Sequence, residues 1–110
     1  MALLDNIIGL YRFNQDITGT CPDHSGNGKS LTISGPVVDA SIKKLGSSSA
    51  NFDGTNDRLS STVAGFDGLT ALSCSFWMYV ASTGDYEHII SKGNLAAPIE
   101  QHSWGFMFMT

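Results

Sequence analysis

A chain of 110 residues has room for one domain and is long enough to bury a modest core without metal or disulfide staples. At 42% hydrophobic the composition argues against wholesale disorder, and at 15% charged it is poorer in ionic residues than most globular domains. Ten acids against six bases give a net charge of −4, with no basic stretch longer than Lys43-Lys44, which excludes a phosphate-neutralising nucleic-acid surface, and no apolar run approaches the ~20 residues of a membrane span.

Period-two alternation runs through most of the chain and helical periodicity is almost absent. Residues 7–14 predict a first strand, with Ile8, Leu10 and Arg12 on one face, Ile7, Tyr11 and Phe13 on the other, and Gly9 as its weak point. Residues 15–29 are dense in turn formers, above all Cys21-Pro22-Asp23-His24-Ser25-Gly26-Asn27-Gly28. Residues 30–34 predict a short strand closed by Gly35-Pro36. Residues 37–45 are ambiguous: Val38, Ile42 and Leu45 fit a helical stripe, but nine residues make a marginal helix. Residues 47–53, small and ending in Phe52, predict a strand that turns at Gly54-Thr55-Asn56 into another over 58–63.

The strongest strand signal covers residues 71–81. Leu72, Cys74, Phe76, Met78 and Val80 share one face, and Ser73, Ser75, Trp77 and Tyr79 the other. Large aromatics on both faces predict that both are covered at least in part. After Ser82-Thr83-Gly84-Asp85 a strand is expected over 86–92, then a loop at 93–97 with Pro98, then a last strand over 103–110. Short strands with turn signals every ~8–12 residues predict an all-β antiparallel sandwich over 1–110. Trp104-Gly105-Phe106-Met107-Phe108-Met109 has no turn, charge or proline to protect it as a sheet edge. Cover from another subunit is therefore expected over 103–110, most simply in a homodimer whose sheets join across open edges.

Cys21 and Cys74 lie fifty-three residues apart, without the spacing of a zinc site. Cys74, in step with Leu72 and Phe76, is expected as a small buried hydrophobe, whereas Cys21 sits among turn formers where exposure is expected; a disulfide between them stays open. The N-terminus, Met1-Ala2-Leu3-Leu4-Asp5, lacks the basic region and long apolar core of a secretory signal.

Three segments invite chemistry. Asp23-His24-Ser25-Gly26-Asn27-Gly28 offers a carboxylate, an amide and loop carbonyls, the hard oxygens that Ca²⁺ takes in sets of six to eight. The competing reading is an Asx-turn, in which Asp23 and Asn27 bond local backbone and Gly26 and Gly28 supply positive φ. Asn51-Phe52-Asp53-Gly54-Thr55-Asn56-Asp57 reads first as a hairpin with Phe52 anchoring the core, and second as a further cation site. Trp77, Tyr79 and Trp104 offer flat faces of the kind that stack on sugar rings, with Ser73, Ser75, Asn94 and Gln101 as polar neighbours; burial between sheets is the alternative for both tryptophans. His24, His88 and His102 are expected in solvated or capping roles. Glu87 and Glu100 are the only glutamates and no strand carries a carboxylate series, so glycosidic hydrolysis is not expected. Neither a G-x-S-x-G elbow nor a phosphate loop is present.

Five of these segments occur in a familiar order: Ile8-Gly9-Leu10-Tyr11-Arg12-Phe13-Asn14, Asp23-His24-Ser25-Gly26-Asn27-Gly28, Ala50-Asn51-Phe52-Asp53-Gly54-Thr55-Asn56-Asp57, Leu72-Ser73-Cys74-Ser75-Phe76-Trp77-Met78 and Ile89-Ile90-Ser91-Lys92-Gly93. The series resembles the laminin-G-like, concanavalin A-like jelly-roll modules over residues 8–93. The resemblance implies a jelly-roll sandwich, incomplete at its C-terminus because such modules commonly run half as long again. It also implies a lectin-like adhesion role with a glycan or glycosylated surface as partner, at an extracellular or virion surface, and a structural calcium held in part by Asp23 and Asn27. The alternative is a structural or assembly protein, such as a viral or phage surface component, that packs against neighbours and needs no ligand.

Overall fold

Short β-favouring runs separated by Asp, Asn, Ser and Gly cannot sustain long ladders, and the strands of this protein are correspondingly brief. The computed structural model describes residues 3–14, 19–61, 69–81, 87–93 and 104–108. Every strand pair among them is antiparallel, and they include no α-helix, so the described part of the protein is all-β. A 3-10 turn at Leu3–Asn6, which no periodicity announced, precedes the strands. The chain divides into two units, Met1–Leu72 and Ser73–Thr110.

The first unit contains β1 (Thr20–Cys21), β2 (Leu31–Ser34), β3 (Val37–Asp39), β4 (Ser49–Asn51) and β5 (Arg58–Ser60). β2 lies between β1 and β5, with Cys21 opposite Leu31 and Ile33 opposite Leu59, while β3 pairs with β4 through Val38 opposite Ala50. Their order makes β2–β3 and β4–β5 the two arms of one interrupted hairpin. Gly35-Pro36 alone separates β2 from β3, but residues 52–57 separate β4 from β5, so the returning arm bulges.

That bulge corrects the expected hairpin at residues 51–57. The turn exists, with Thr55 N–H donating to Asp53 Oδ1 (2.8 Å) and Asp53 N–H to Asp57 Oδ2 (2.9 Å). The strands that flank it, however, pair with β3 and β2 rather than with each other. Carboxylates that capture local N–H groups bend the backbone without fixing a register; the register comes from the partner strands. Gly35 faces the bulge at φ 97°, and a Cβ there would lie 1.7 Å from Asp57 Oδ1. Phe52, expected to anchor the core, is exposed instead, because its bulge carries it off the ladder. The same chemistry removes the helical option after β3. Asp39 Oδ1 accepts from Ser41 N–H (2.7 Å), Ser41 Oγ–H (2.6 Å) and Ile42 N–H (3.3 Å), and Val38, Ile42 and Leu45 are all exposed.

The expected strand at 7–14 belongs to no ladder among the described residues. Phe13 takes φ 55°, a conformation costly for a bulky residue and incompatible with a continuing strand. Ser48, buried, holds that turn by donating its hydroxyl to the Phe13 carbonyl (2.5 Å), and Ser47 N–H donates to Asn14 Oδ1 (3.1 Å). Cys21, placed by sequence among exposed turn formers, is fully buried on β1; both cysteines are thiols.

In the second unit β6 (Glu87–Lys92) pairs with β7 (Trp104–Phe108), from Glu87 opposite Phe108 to Lys92 opposite Trp104, with an irregularity between His88 and Ile90. Strands were expected at both places; residues 86, 103, 109 and 110 lie outside the described set, as do the turn at 82–85, Asn94, Pro98, Glu100, Gln101 and His102. Residues 71–80, the strongest strand signal, run without turn or bend but form no ladder among the described residues. Exposure nevertheless alternates along them: Phe76 43%, Trp77 69%, Met78 46%, Tyr79 72%, Val80 38%. Two faces are therefore distinguishable, though neither is buried. Cys74, expected inside, is exposed with the rest of its face. Alternation is a local property of an extended chain, whereas burial requires a second surface.

Candidate functional site

The turn-rich segment between β1 and β2 is a clamp on the first extended segment. Asp23 sits where its carboxylate can meet three separate pieces of backbone. Oδ1 accepts from Leu10 N–H (3.0 Å) and Ser25 N–H (2.8 Å), and Oδ2 accepts from Lys29 N–H (2.9 Å). His24 N–H returns a bond to the Leu10 carbonyl (2.7 Å), so both backbone groups of Leu10 are taken up by the loop. Asn27 Nδ2 donates to the Ile7 (2.8 Å) and Ile8 (3.2 Å) carbonyls and approaches Ser25 Oγ (3.0 Å). The opposite amide orientation would set its oxygen against two carbonyl oxygens, so these contacts determine which way the amide points. Tyr11 completes the clamp with its hydroxyl donating to the Lys29 carbonyl (2.7 Å).

The electrostatics follow from these partners. Partial burial pushes the Asp23 carboxyl up, but the Ser25 hydroxyl and the N–H groups of Leu10, Ser25 and Lys29 outweigh it and hold the group well below the usual carboxylate range. Burial raises the Tyr11 phenol above its ordinary 10, reinforced by the negative charge of Asp23. The geometry matches the Asx-turn reading at Asp23, with Gly26 at φ 87° and Gly28 at φ 68°, while the Asn27 amide reaches back to Ile7 and Ile8 rather than to local backbone. Holding calcium here would require Asp23 to surrender backbone N–H bonds and Asn27 to turn its oxygen where its nitrogen now donates. No group of three or more His, Cys, Asp or Glu side chains converges among the described residues, and a calcium ion needs six to eight oxygens.

No protein-family model matches the chain, and no curated protein or solved structure matches it.

Of the three aromatics singled out for sugar stacking, Trp77 and Tyr79 stand on the more exposed side of residues 71–80, about 7 Å apart along the chain. Ser73 and Ser75, four and two residues before Trp77, are exposed as well. Trp104 begins β7 opposite Lys92; its side chain lies outside the described set, as does that of His88. Sequence reasoning found the Asx-turn but missed its long-range half. An Asp followed two residues later by Ser signals the local bond to Ser25; nothing signals that the same oxygen also binds Leu10, thirteen residues earlier. No helix among the described residues is long and apolar enough to cross a membrane.

Proposed function

We propose that this protein is a non-catalytic recognition module of the laminin-G-like, concanavalin A-like jelly-roll class, which engages a carbohydrate through Trp77 and Tyr79. The carrying observation is the pair of aromatic side chains exposed at 69% and 72% on one side of an extended stretch, beside two serine hydroxyls. Large aromatics held in water gain from covering, and the C–H faces of a sugar ring supply a flat apolar surface while its hydroxyls meet the serines. The five motifs in the order of that family, set on an all-β antiparallel framework, add support. Affinity electrophoresis or a glycan array tests the proposal. Retention by a specific glycan, lost in Trp77→Ala and Tyr79→Ala variants with unchanged melting temperatures, is expected; binding that survives both substitutions overturns the assignment.

A second reading rests on the opposite side of the same stretch. Leu72, Phe76, Met78 and Val80 are 37–46% exposed, an apolar row of the kind that drives assembly. On this reading the module is a structural component that packs against neighbouring subunits. Sedimentation velocity separates the two: concentration-dependent oligomers abolished by Met78→Asp, without any glycan retention, favour assembly.

A further inference from the structure

The loop that clamps residues 7–10 carries the sequence's one Asn-Gly pair, Asn27-Gly28, and the clamp uses that asparagine's amide. We propose that Asn27-Gly28 is a self-modification site: deamidation there turns a hydrogen-bond donor into a carboxylate and irreversibly releases the first extended segment from the loop. The inference is independent of the sugar reading, which rests on other residues.

The reaction needs only water. The Gly28 backbone nitrogen, having lost its proton to hydroxide, attacks Asn27 Cγ. A bond from that nitrogen to Cγ forms as the Cγ–Nδ2 bond breaks, and Nδ2 leaves as ammonia with a proton from water. The product is a cyclic succinimide. Water then opens it at either ring carbonyl, giving aspartate when the new bond to Cγ breaks and isoaspartate when the original peptide bond breaks. Nothing is oxidised or reduced. Glycine permits the closure because no side chain stands beside the attacking nitrogen and the backbone reaches conformations closed to other residues. Gly28 lies at φ 68°, and a Cβ built on it would meet nothing within 4 Å, so the nucleophile's residue stands in open space. Asn27 is itself exposed to the water that completes the hydrolysis. Every other asparagine of the chain is followed by a residue with a side chain, which crowds the attacking nitrogen.

The fold sets the rate. Asn27 Nδ2 donates to the Ile7 and Ile8 carbonyls at 2.8 and 3.2 Å, which hold the amide in place. Asp23 accepts from Ser25 N–H and Lys29 N–H, so its carboxylate brackets the Asn-Gly pair from both sides. Swinging the Gly28 nitrogen onto Cγ requires these bonds to give way, and modification therefore proceeds through local opening of the clamp. The fold also sets the consequence. An ionised carboxylate only accepts, so at position 27 it loses both donations and faces two carbonyl oxygens. It also adds a negative charge to the loop that already holds Asp23. Isoaspartate does more, because it inserts a methylene into the backbone between Ser25 and Lys29, the two anchors of the bracket. Neither product returns to asparagine, so the release runs one way.

The test is a long incubation of the intact chain at mildly alkaline pH, with peptide mapping by mass spectrometry to locate the exchange of NH2 for OH. Expected is modification at Asn27 ahead of every other asparagine, at least about tenfold slower in the folded chain than in guanidinium chloride. Asp23→Ala, which removes the bracket, should speed the folded-state reaction at least about fivefold; sub-denaturing guanidinium chloride should accelerate the wild type in the same way, a measurement that does not depend on the variant folding. Asn27→Asp, the product made directly, should lower the melting temperature by at least about 3 °C. Asn27→Gln, which would have to close a larger and slower ring, should abolish modification at that position. Modification spread evenly over the asparagines, a folded-state rate equal to that in guanidinium chloride, or an Asn27→Asp melting temperature equal to wild type overturns the proposal.

Discussion

Replacing Asp23 with alanine removes the acceptor of three backbone N–H bonds at once, at 3.0, 2.8 and 2.9 Å. Bonds to a charged acceptor contribute about 1.5–3 kcal/mol each when shielded from water. Asp23 is only half-buried, so solvent replaces part of what is lost, and a total of about 2–4 kcal/mol is expected. That is a large fraction of a small domain's stability and corresponds to a fall of about 1–2 M in the urea midpoint. The same carboxylate makes the effect pH-dependent. Its folded-state pKa is depressed, so its stabilisation is fully present above the unfolded value near 3.8 and is lost as pH falls through the lower folded value. The difference between wild type and Asp23→Ala should therefore shrink as pH drops below about 4. Asp39, also depressed by its bonds from Ser41 and Ile42, is common to both proteins and cancels in the difference. Asp23→Asn keeps one acceptor oxygen and should recover part of the loss. A loss below about 0.5 kcal/mol, or a wild-type-to-variant gap that stays constant from neutral pH into acid, refutes the idea that Asp23 staples the first segment to the loop.

Four further outcomes follow from the same geometry. Gly35→Ala should destabilise by about 1–3 kcal/mol in thermal melts, because a Cβ at φ 97° would meet Asp57 Oδ1 at 1.7 Å and its Cα at 3.1 Å. Tyr11→Phe should lose about 1 kcal/mol through the missing bond to the Lys29 carbonyl. Because burial raises that phenol, the wild type should also lose stability as pH rises past 10, more steeply than the phenylalanine variant. A thiol reagent should modify Cys74 rapidly and Cys21 only on unfolding, so Cys74→Ala should abolish the fast phase while leaving one slow equivalent. Calcium should leave the melting temperature unchanged, since the Asp23 oxygens already accept three N–H groups; a saturable rise lost in Asp23→Ala would instead give Asp23 and Asn27 the ligand role that the family resemblance implies.

Local patterns made much of the framework readable from the chain alone. Alternation and turn residues located β2, β6 and β7 within a residue or two, and they brought out the Asx-turn at Asp23 and the presence of a turn after Asp53. Those features depend on side chains within a few positions of each other along the backbone. The same patterns also misdirected: residues 7–14 alternate yet form no strand, because Asp23, His24 and Asn27 occupy their backbone groups before a neighbouring strand can.

What covers a side chain depends on distant segments, and the tertiary structure alone decides it. Cys21 and Cys74 exchanged their expected environments, since burial on β1 and exposure at 74 each follow from which surfaces lie opposite. Likewise, only the pairing of β5 with β2 and β4 with β3 turned an expected hairpin into a bulge over Gly35. An acid at position 23 and a leucine at position 10 carry no mark of one another; the hydrogen bond that joins them exists only once the chain has brought them together.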